Sequence, residues 1–261
     1  MKIELNGKRA LVGGSSKGIG RAIAIQLAAS GASVTLMARS VALLKEIVAD
    51  LDQSNGQQHH YLVVDFNDFE QYKTVVLPYL KKETIDILVN NSQGPPAGGA
   101  RTLSITAYQQ AFDLLFKCVV WTTHQVLEGM EKKAWGRVIN VASVSVQEPL
   151  RHLALSNSIR AAVVTWAKSL SIEVAVKGIT VNNVLTGYFD TERISKLNLQ
   201  KAKELQISPE QVRTEMELQV PMQRIGDPKE YGYLVCFLAA PQAAYITGVN
   251  LPIDGGLLRS L

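Results

Sequence analysis

The residues of this sequence best suited to hold a charged ligand are Gly14, Gly18 and Gly20, in the turn Gly13-Gly14-Ser15-Ser16-Lys17-Gly18-Ile19-Gly20. The short apolar run Ala10-Leu11-Val12 leads into this turn, and an alternating apolar helix leaves it and stops at Gly31. A strand, a tight turn and a helix N-terminus in that order gather unpaired backbone N–H groups and the positive end of a helix dipole. Glycine lets the backbone come close to whatever binds there, so the chemistry is phosphate binding. The spacing is G-x-x-x-G-x-G and not the usual G-x-G-x-x-G fingerprint, so the turn alone does not identify the ligand.

The elements that must position such a turn show in the apolar runs. After the first strand come strands at Ser33 to Ala38, Tyr61 to Val64, Ile85 to Val89, Arg137 to Val141, Ile179 to Val184 and Val249 to Ile253. Between them the 3.6-residue period predicts helices over Val41 to Leu51, Phe69 to Leu80, Ile105 to Lys133, Ser156 to Val176 and Pro228 to Leu238. Continuous Val/Ile/Leu strands alternating with helices predict an α/β fold, a parallel sheet of about seven strands with helices on both faces. Ligands of such sheets sit beyond the carboxyl ends of the strands, where Gly14, Asp65, Asn91, Ser143 and Thr186 should gather. One polar helical insertion, Asp190 to Gln219, departs from the pattern. Its stretch Thr191 to Pro221 reads as a lid over the site, with a plain surface insertion as the alternative.

With 261 residues, 47% of them hydrophobic and 19% charged, the chain is expected to form one domain over residues 1–261. A net charge of +4 with scattered basic residues gives no footprint for nucleic acid. Cys118 and Cys236 lie in apolar stretches without metal-ligand spacing, so buried free thiols are expected, in a reducing compartment and with no metal. The start, MKIELNGKRA, lacks the apolar core of a signal peptide, and no apolar run reaches the roughly 18 residues of a membrane span. A soluble, cytoplasmic protein is the expectation.

Four motifs in order, the glycine turn, NNSQG after the fourth strand, GRVINVASV at the fifth and ITGVNLPIDGG at the end, carry a resemblance. Over essentially its whole length the chain resembles the short-chain dehydrogenase/reductase family, most of all its 3-oxoacyl-[acyl-carrier-protein] reductase branch. The resemblance implies a doubly wound Rossmann fold with the cofactor diphosphate on Gly14, Ser16, Lys17, Gly18, Ile19 and Gly20. It implies adenine near Asp65 and Phe66, the adenosine side over Asn90, Asn91 and Ser92, and the nicotinamide carboxamide near Tyr188 and Thr191. Thr186 stands where the family commonly has proline, and Gln93 where it usually has glycine. The second strand is followed by Arg39-Ser40 and not by a carboxylate, and Lys17 lies inside the turn. Two cations and a hydroxyl favour the 2′-phosphate of NADP(H) over the ribose diol of NAD.

Family members reduce carbonyls with a serine, a tyrosine and a lysine, helped by an asparagine of the preceding long helix. Counting from Ser143, the tyrosine position holds Ser156 and the lysine position Arg160, while the asparagine position holds Leu115. Ser156 and Arg160 share a helix face at i, i+4. Arginine keeps the charge but cannot lose a proton, and an aliphatic hydroxyl is a far weaker acid than a phenol. His152, on the same face if the helix extends back to it, Tyr188, and water relayed by Ser143 and Ser156 are the alternative proton donors. The expectation is an NADP-dependent oxidoreductase acting on a carbonyl/alcohol pair, with a 3-oxoacyl thioester as the substrate the resemblance implies. A non-catalytic NADP(H)-binding sensor or partner subunit is the alternative. A homodimer or homotetramer is expected through the helices Ile105 to Lys133 and Ser156 to Val176, the latter with Val163, Val164, Trp166 and Leu170, and through Leu257, Leu258 and Leu261.

Overall fold

The computed structural model describes residues 2–260. Its strands are β1 (Arg9–Gly13), β2 (Ser33–Ala38), β3 (His60–Val63), β4 (Ile87–Asn90), β5 (Gly136–Val141), β6 (Ile179–Thr186) and β7 (Asn250–Ile253). They form one sheet in the order β3-β2-β1-β4-β5-β6-β7, every pair parallel. The order reverses between β1 and β4, which is the switch point of a doubly wound fold.

The helices are α1 (Gly18–Ala29), α2 (Val41–Asp50), α3 (Phe69–Leu80), α4 (Ile105–Phe112), α5 (Cys118–Lys132), α6 (Ala154–Val174), α7 (Glu192–Leu205), α8 (Pro209–Gln219) and α9 (Pro228–Ala239). On one face α1, α2 and α9 bury Ile23, Leu27, Leu44, Ile47, Tyr231 and Val235 against the sheet. On the other, α3, α5 and α6 bury Tyr72, Val126, Met130, Ile159 and Leu170. Strands covered on both sides are the reason the sequence shows continuous apolar runs and no alternation.

One row across the sheet is polar. Asn90, Asn140, Asn183 and Asn250 stand in register on β4, β5, β6 and β7. The amide of Asn90 donates to Asn140 Oδ1 at 2.8 Å, Asn140 to Asn183 Oδ1 at 2.9 Å, and Asn183 to Asn250 Oδ1 at 2.8 Å. Asn90 also reaches Thr123 Oγ1 on α5 at 3.1 Å. A slip of one residue between any two of these strands would break the row, so it pins the register at the end of the sheet that faces the site.

Two expectations are corrected. The long helix is two helices, α4 and α5, joined by a π turn at Asp113–Lys117 that carries the buried Leu114 and Leu115. A π turn accommodates an extra residue without a composition of its own, so the apolar period runs through it unmarked. The insertion is also two helices. Ser208 and Gln211 form a capping box with Pro209 at the first helical position, which starts α8 afresh. In α6, Val163 and Leu170 are buried in the chain's own core, and Val164 and Trp166 are half-buried against it. Leu257 and Leu258 pack on the buried cluster Ala142, Val144 and Leu185, whereas Leu261 lies outside the described residues. Ile172 and Val176 are the apolar residues left exposed at that end of α6 and just beyond it. Both cysteines are free and buried, and no helix among the described residues is long and apolar enough to cross a membrane.

Candidate cofactor and active site

The glycine turn leaves β1 with Gly14 at φ +56° and Gly18 at φ +54°, the left-handed region that glycine enters without cost from a Cβ. A Cβ at Gly20 would lie 2.3 Å from the Gly14 carbonyl oxygen, and one at Gly13 would lie 2.1 Å from the Asn91 carbonyl oxygen. The turn therefore closes to this radius only with glycine. Helix α1 starts with no side chain capping its first turn and no acidic residue there. Its leading N–H groups and dipole are free to meet an anion. Ser15 is turned inward, where its hydroxyl accepts from the Met37 N–H at 3.0 Å, while Ser16 and Ile19 are partly exposed on the rim. Asn91 closes the turn from β4 by donating to the Gly13 carbonyl at 3.0 Å, with Ser92 beside it. A dinucleotide diphosphate fits this cradle of glycine backbone and uncapped helix terminus.

Around it the residues singled out in the sequence divide. Arg39 is exposed just past β2, and the Ser40 hydroxyl caps α2 by accepting from Leu43 N–H. Lys17 is paired: its Nζ lies 2.6 Å from Glu192 Oε2 at the head of α7. Hydrogen bonds from Lys17 and Lys196 hold the Glu192 carboxyl at about 2, well below the usual carboxylate range. The Asp65 carboxylate is committed to the Asn67 backbone and amide at 2.9 and 3.0 Å. The Phe66 ring is buried against Tyr72, their centroids 5.2 Å apart. Thr191 caps α7, and its methyl carbon would lie 3.1 Å from a Cβ on Gly18, so the head of α7 rests on the glycine turn.

The second half of the site stands at the ends of β5 and β6. Ser143 follows β5, and its hydroxyl accepts from the Ser145 N–H at 3.1 Å. Helix α6 packs on the turn Val144–Val146 and carries Ser156 in its first turn and Arg160 one turn later. The Arg160 guanidinium donates to the Val141 carbonyl at the last residue of β5. Burial chiefly holds Arg160 below the usual guanidinium range, opposed by Tyr231 and aided to a smaller extent by the charge of Arg193. Arg160 lines a pocket together with Asn90, Asn91, Asn140, Leu115 and Cys118.

Of the proton donors weighed in the sequence, His152 is a correction. Helix α6 begins at Ala154, so His152 lies before it in an exposed turn, its carbonyl accepting from Gly98 N–H at 2.7 Å. Tyr188 is half-buried beyond β6, and its hydroxyl reaches Gln219 at 3.4 Å. Burial raises its pKa, so it holds its proton at neutral pH. Thr186, in the proline position, donates to the buried Tyr231 hydroxyl at 3.1 Å. The sequence reading passed over Arg193 and the asparagine row. The row had a signal, since three of the predicted strands carry an asparagine at or next to their carboxyl end, Asn90, Asn140 and Asn183.

A family profile described as Enoyl-(Acyl carrier protein) reductase matches residues 14–258. The chain is 35% identical over 257 residues to the 3-oxoacyl-[acyl-carrier-protein] reductase FabG of Vibrio cholerae serotype O1, covering 98% of this chain and 99% of that one. It is 36% identical over 260 residues to the oxidoreductase UcpA of Salmonella typhimurium, covering 97% and 95%. Among solved structures it is similar to the L-sorbose reductase of Gluconobacter frateurii, solved with NADPH and L-sorbose. The TM-score is 0.93 at 28% identity, over the full length of both chains.

Proposed function

The chain belongs to the short-chain dehydrogenase/reductase family, and on that footing we propose that it is an NADP(H)-dependent oxidoreductase interconverting a carbonyl and an alcohol. The observation that carries this reading is the glycine turn over an α1 terminus that no side chain caps. Arg39 and Ser40 stand where the 2′-phosphate would lie, and the similar L-sorbose reductase was solved with NADPH. Bound there, the cofactor supplies or accepts the hydride.

The chain's own part is to orient the carbonyl and supply one proton. Ser143 positions the carbonyl oxygen. Arg160 stabilises negative charge developing on that oxygen without giving up its own proton. The proton comes from Tyr188, or from water held by Ser143 and Ser156. Residues 191–221 act as the lid, Asn91, Ser92 and Thr191 line the cofactor, and residues 1–261 work as one domain in a cytoplasmic homodimer or homotetramer. The FabG and L-sorbose reductase names supply the first substrates to try, a 3-oxoacyl thioester and a keto sugar.

Leu115, Ser156 and Arg160 favour a second reading, an NADP(H)-binding protein without turnover, because they replace three of the family's four catalytic side chains. Single-turnover oxidation of bound NADPH against a carbonyl panel separates the two. Oxidation with at least one carbonyl is expected, and tight NADPH binding with no oxidation anywhere on the panel would establish the second reading.

A further inference from the structure

The proposed reaction admits any carbonyl compound, and the charges around the pocket narrow the class. Several basic side chains around the site are ion-paired. Arg213 is forked onto Asp190 at 3.1 and 3.2 Å, Arg224 onto Glu230 at 2.6 and 2.8 Å, and Lys17 meets Glu192. Arg160 and Arg193 are among the arginines that form no ion pair, as Arg21, Arg39, Arg101 and Arg151 also form none, and these two each bond a backbone carbonyl next to the pocket. Arg160 donates to the Val141 carbonyl, and Arg193, in the first turn of α7, donates to the Pro95 carbonyl at 2.9 Å. Neither meets a carboxylate among the described residues.

The two stand at neighbouring strand ends. The Arg193 guanidinium lies over Gly94, its nitrogens 3.5 and 3.6 Å from where a Cβ at Gly94 would sit, in the segment that follows β4. Arg160 reaches the end of β5, the next strand, and lines the pocket with Asn91 and Ser92 of that same segment. Arg193 is among the groups that lower the Arg160 pKa, well behind burial. A guanidinium has five N–H donors, and one backbone carbonyl leaves most of them and the whole charge uncompensated. Two uncompensated guanidinium groups set around one segment, Asn91 to Pro95, make that place favourable for an anion.

We infer that Arg160 and Arg193 are the recognition site for an anionic group on the substrate, a carboxylate close to the carbonyl that is reduced. The inference rests on the reading of the chain as an NADP(H)-dependent carbonyl reductase. A carboxylate matches the planar fork of a guanidinium and supplies the negative charge that both lack. The cofactor's diphosphate is the other anion at hand, but the glycine turn and the α1 terminus already provide for it. Oxo acids are then the favoured substrates, and neutral ketones, esters and uncharged thioesters the poorer ones.

The test compares 2-oxobutyrate, acetoacetate and levulinate with their methyl esters, on the unmodified protein and on Arg193→Gln and Arg160→Gln, with NADPH affinity measured alongside. Arg193 is on the surface, so its variant remains informative if Arg160→Gln fails to fold. At least one acid should exceed its ester about tenfold or more in kcat/KM, or, where neither turns over, in affinity for the NADP+ complex by calorimetry. Both variants should bring that ratio close to one and leave NADPH affinity within about twofold. Two results overturn the inference: acids and esters treated alike by the unmodified protein, or variants that lose NADPH affinity while keeping the ratio, which would give the pair to the cofactor. Failure of the unmodified protein to bind NADPH is a different result, and it overturns the reading of function itself.

Discussion

Replacing Asn140 with leucine tests whether the asparagine row holds the end of the sheet. Leucine keeps the branched shape but removes a donor and an acceptor from the middle of the row. Asn183 Oδ1, on a side chain only 1% exposed, would lose the 2.9 Å bond from Asn140, while Asn90 keeps Thr123 as a second partner. One buried acceptor stranded costs about 1–3 kcal/mol. At roughly 2–4 °C per kcal/mol for a chain of this size, Asn140→Leu should lower Tm by roughly 2–12 °C. The double change Asn140→Leu with Asn183→Leu removes the stranded acceptor and leaves only Asn250, whose side chain is exposed to water. The double variant should therefore be no less stable than the single one, a coupling on the order of 1 kcal/mol or more. Urea unfolding without cofactor gives the midpoints, with equal m values required for the comparison. A single variant as stable as the unmodified protein would refute the reasoning, and so would strictly additive losses.

Arg39→Asp should reverse the cofactor order, from NADPH at least about tenfold tighter than NADH, or about 1.4 kcal/mol, to the opposite, as read by fluorescence titration; equal affinities in the unmodified protein would remove the 2′-phosphate assignment. The double change Ser156→Tyr with Arg160→Lys should raise turnover of small activated ketones by roughly 10² to 10⁴, the contribution of a positioned acid, with little gain from Arg160→Lys alone. No gain at unchanged NADPH affinity would mean that the carbonyl pocket is gone. Burial pushes the Cys118 thiol up to about 12, and burial also raises that of Cys236. Neither should react with a thiol reagent at pH 8 until the chain unfolds, and prompt labelling of the native protein would contradict the buried placement.

The sheet was legible because burial on both faces leaves uninterrupted apolar runs, and the runs ending at Val12, Ala38 and Val141 became β1, β2 and β5 within a residue or so. The glycine turn was legible for a steric reason, since nothing larger than glycine fits at Gly13 or Gly20. The π turn at Asp113–Lys117 was not, because side-chain pattern records which face is buried and not how many residues a turn spends reaching it. The inward ring of Phe66 and the lost helical context of His152 depended on where a chain end packs, which one sequence does not state. Arg193 was overlooked for a similar reason. An arginine within a charged stretch looks solvated until the fold sets it on Gly94 with no acid to answer it.

Glu192 has one carboxylate and two claimants. It joins Lys17 across the gap from α7 to the glycine turn and Lys196 within α7 itself, at 2.6 and 2.7 Å. A phosphate that drew Lys17 away would leave the carboxylate to Lys196, and the helix would keep its internal pair while losing its tie to the turn. Arrival of the cofactor would then unlatch the very helix that Arg193 carries toward the pocket. Because the Glu192 carboxyl is held at about 2, protonation leaves this exchange alone at neutral pH: the tie is whole above the ordinary carboxylate range and fades only as pH falls toward 2. What makes and breaks it under ordinary conditions is a rival anion for Lys17, and the ionic strength that weakens every exposed pair.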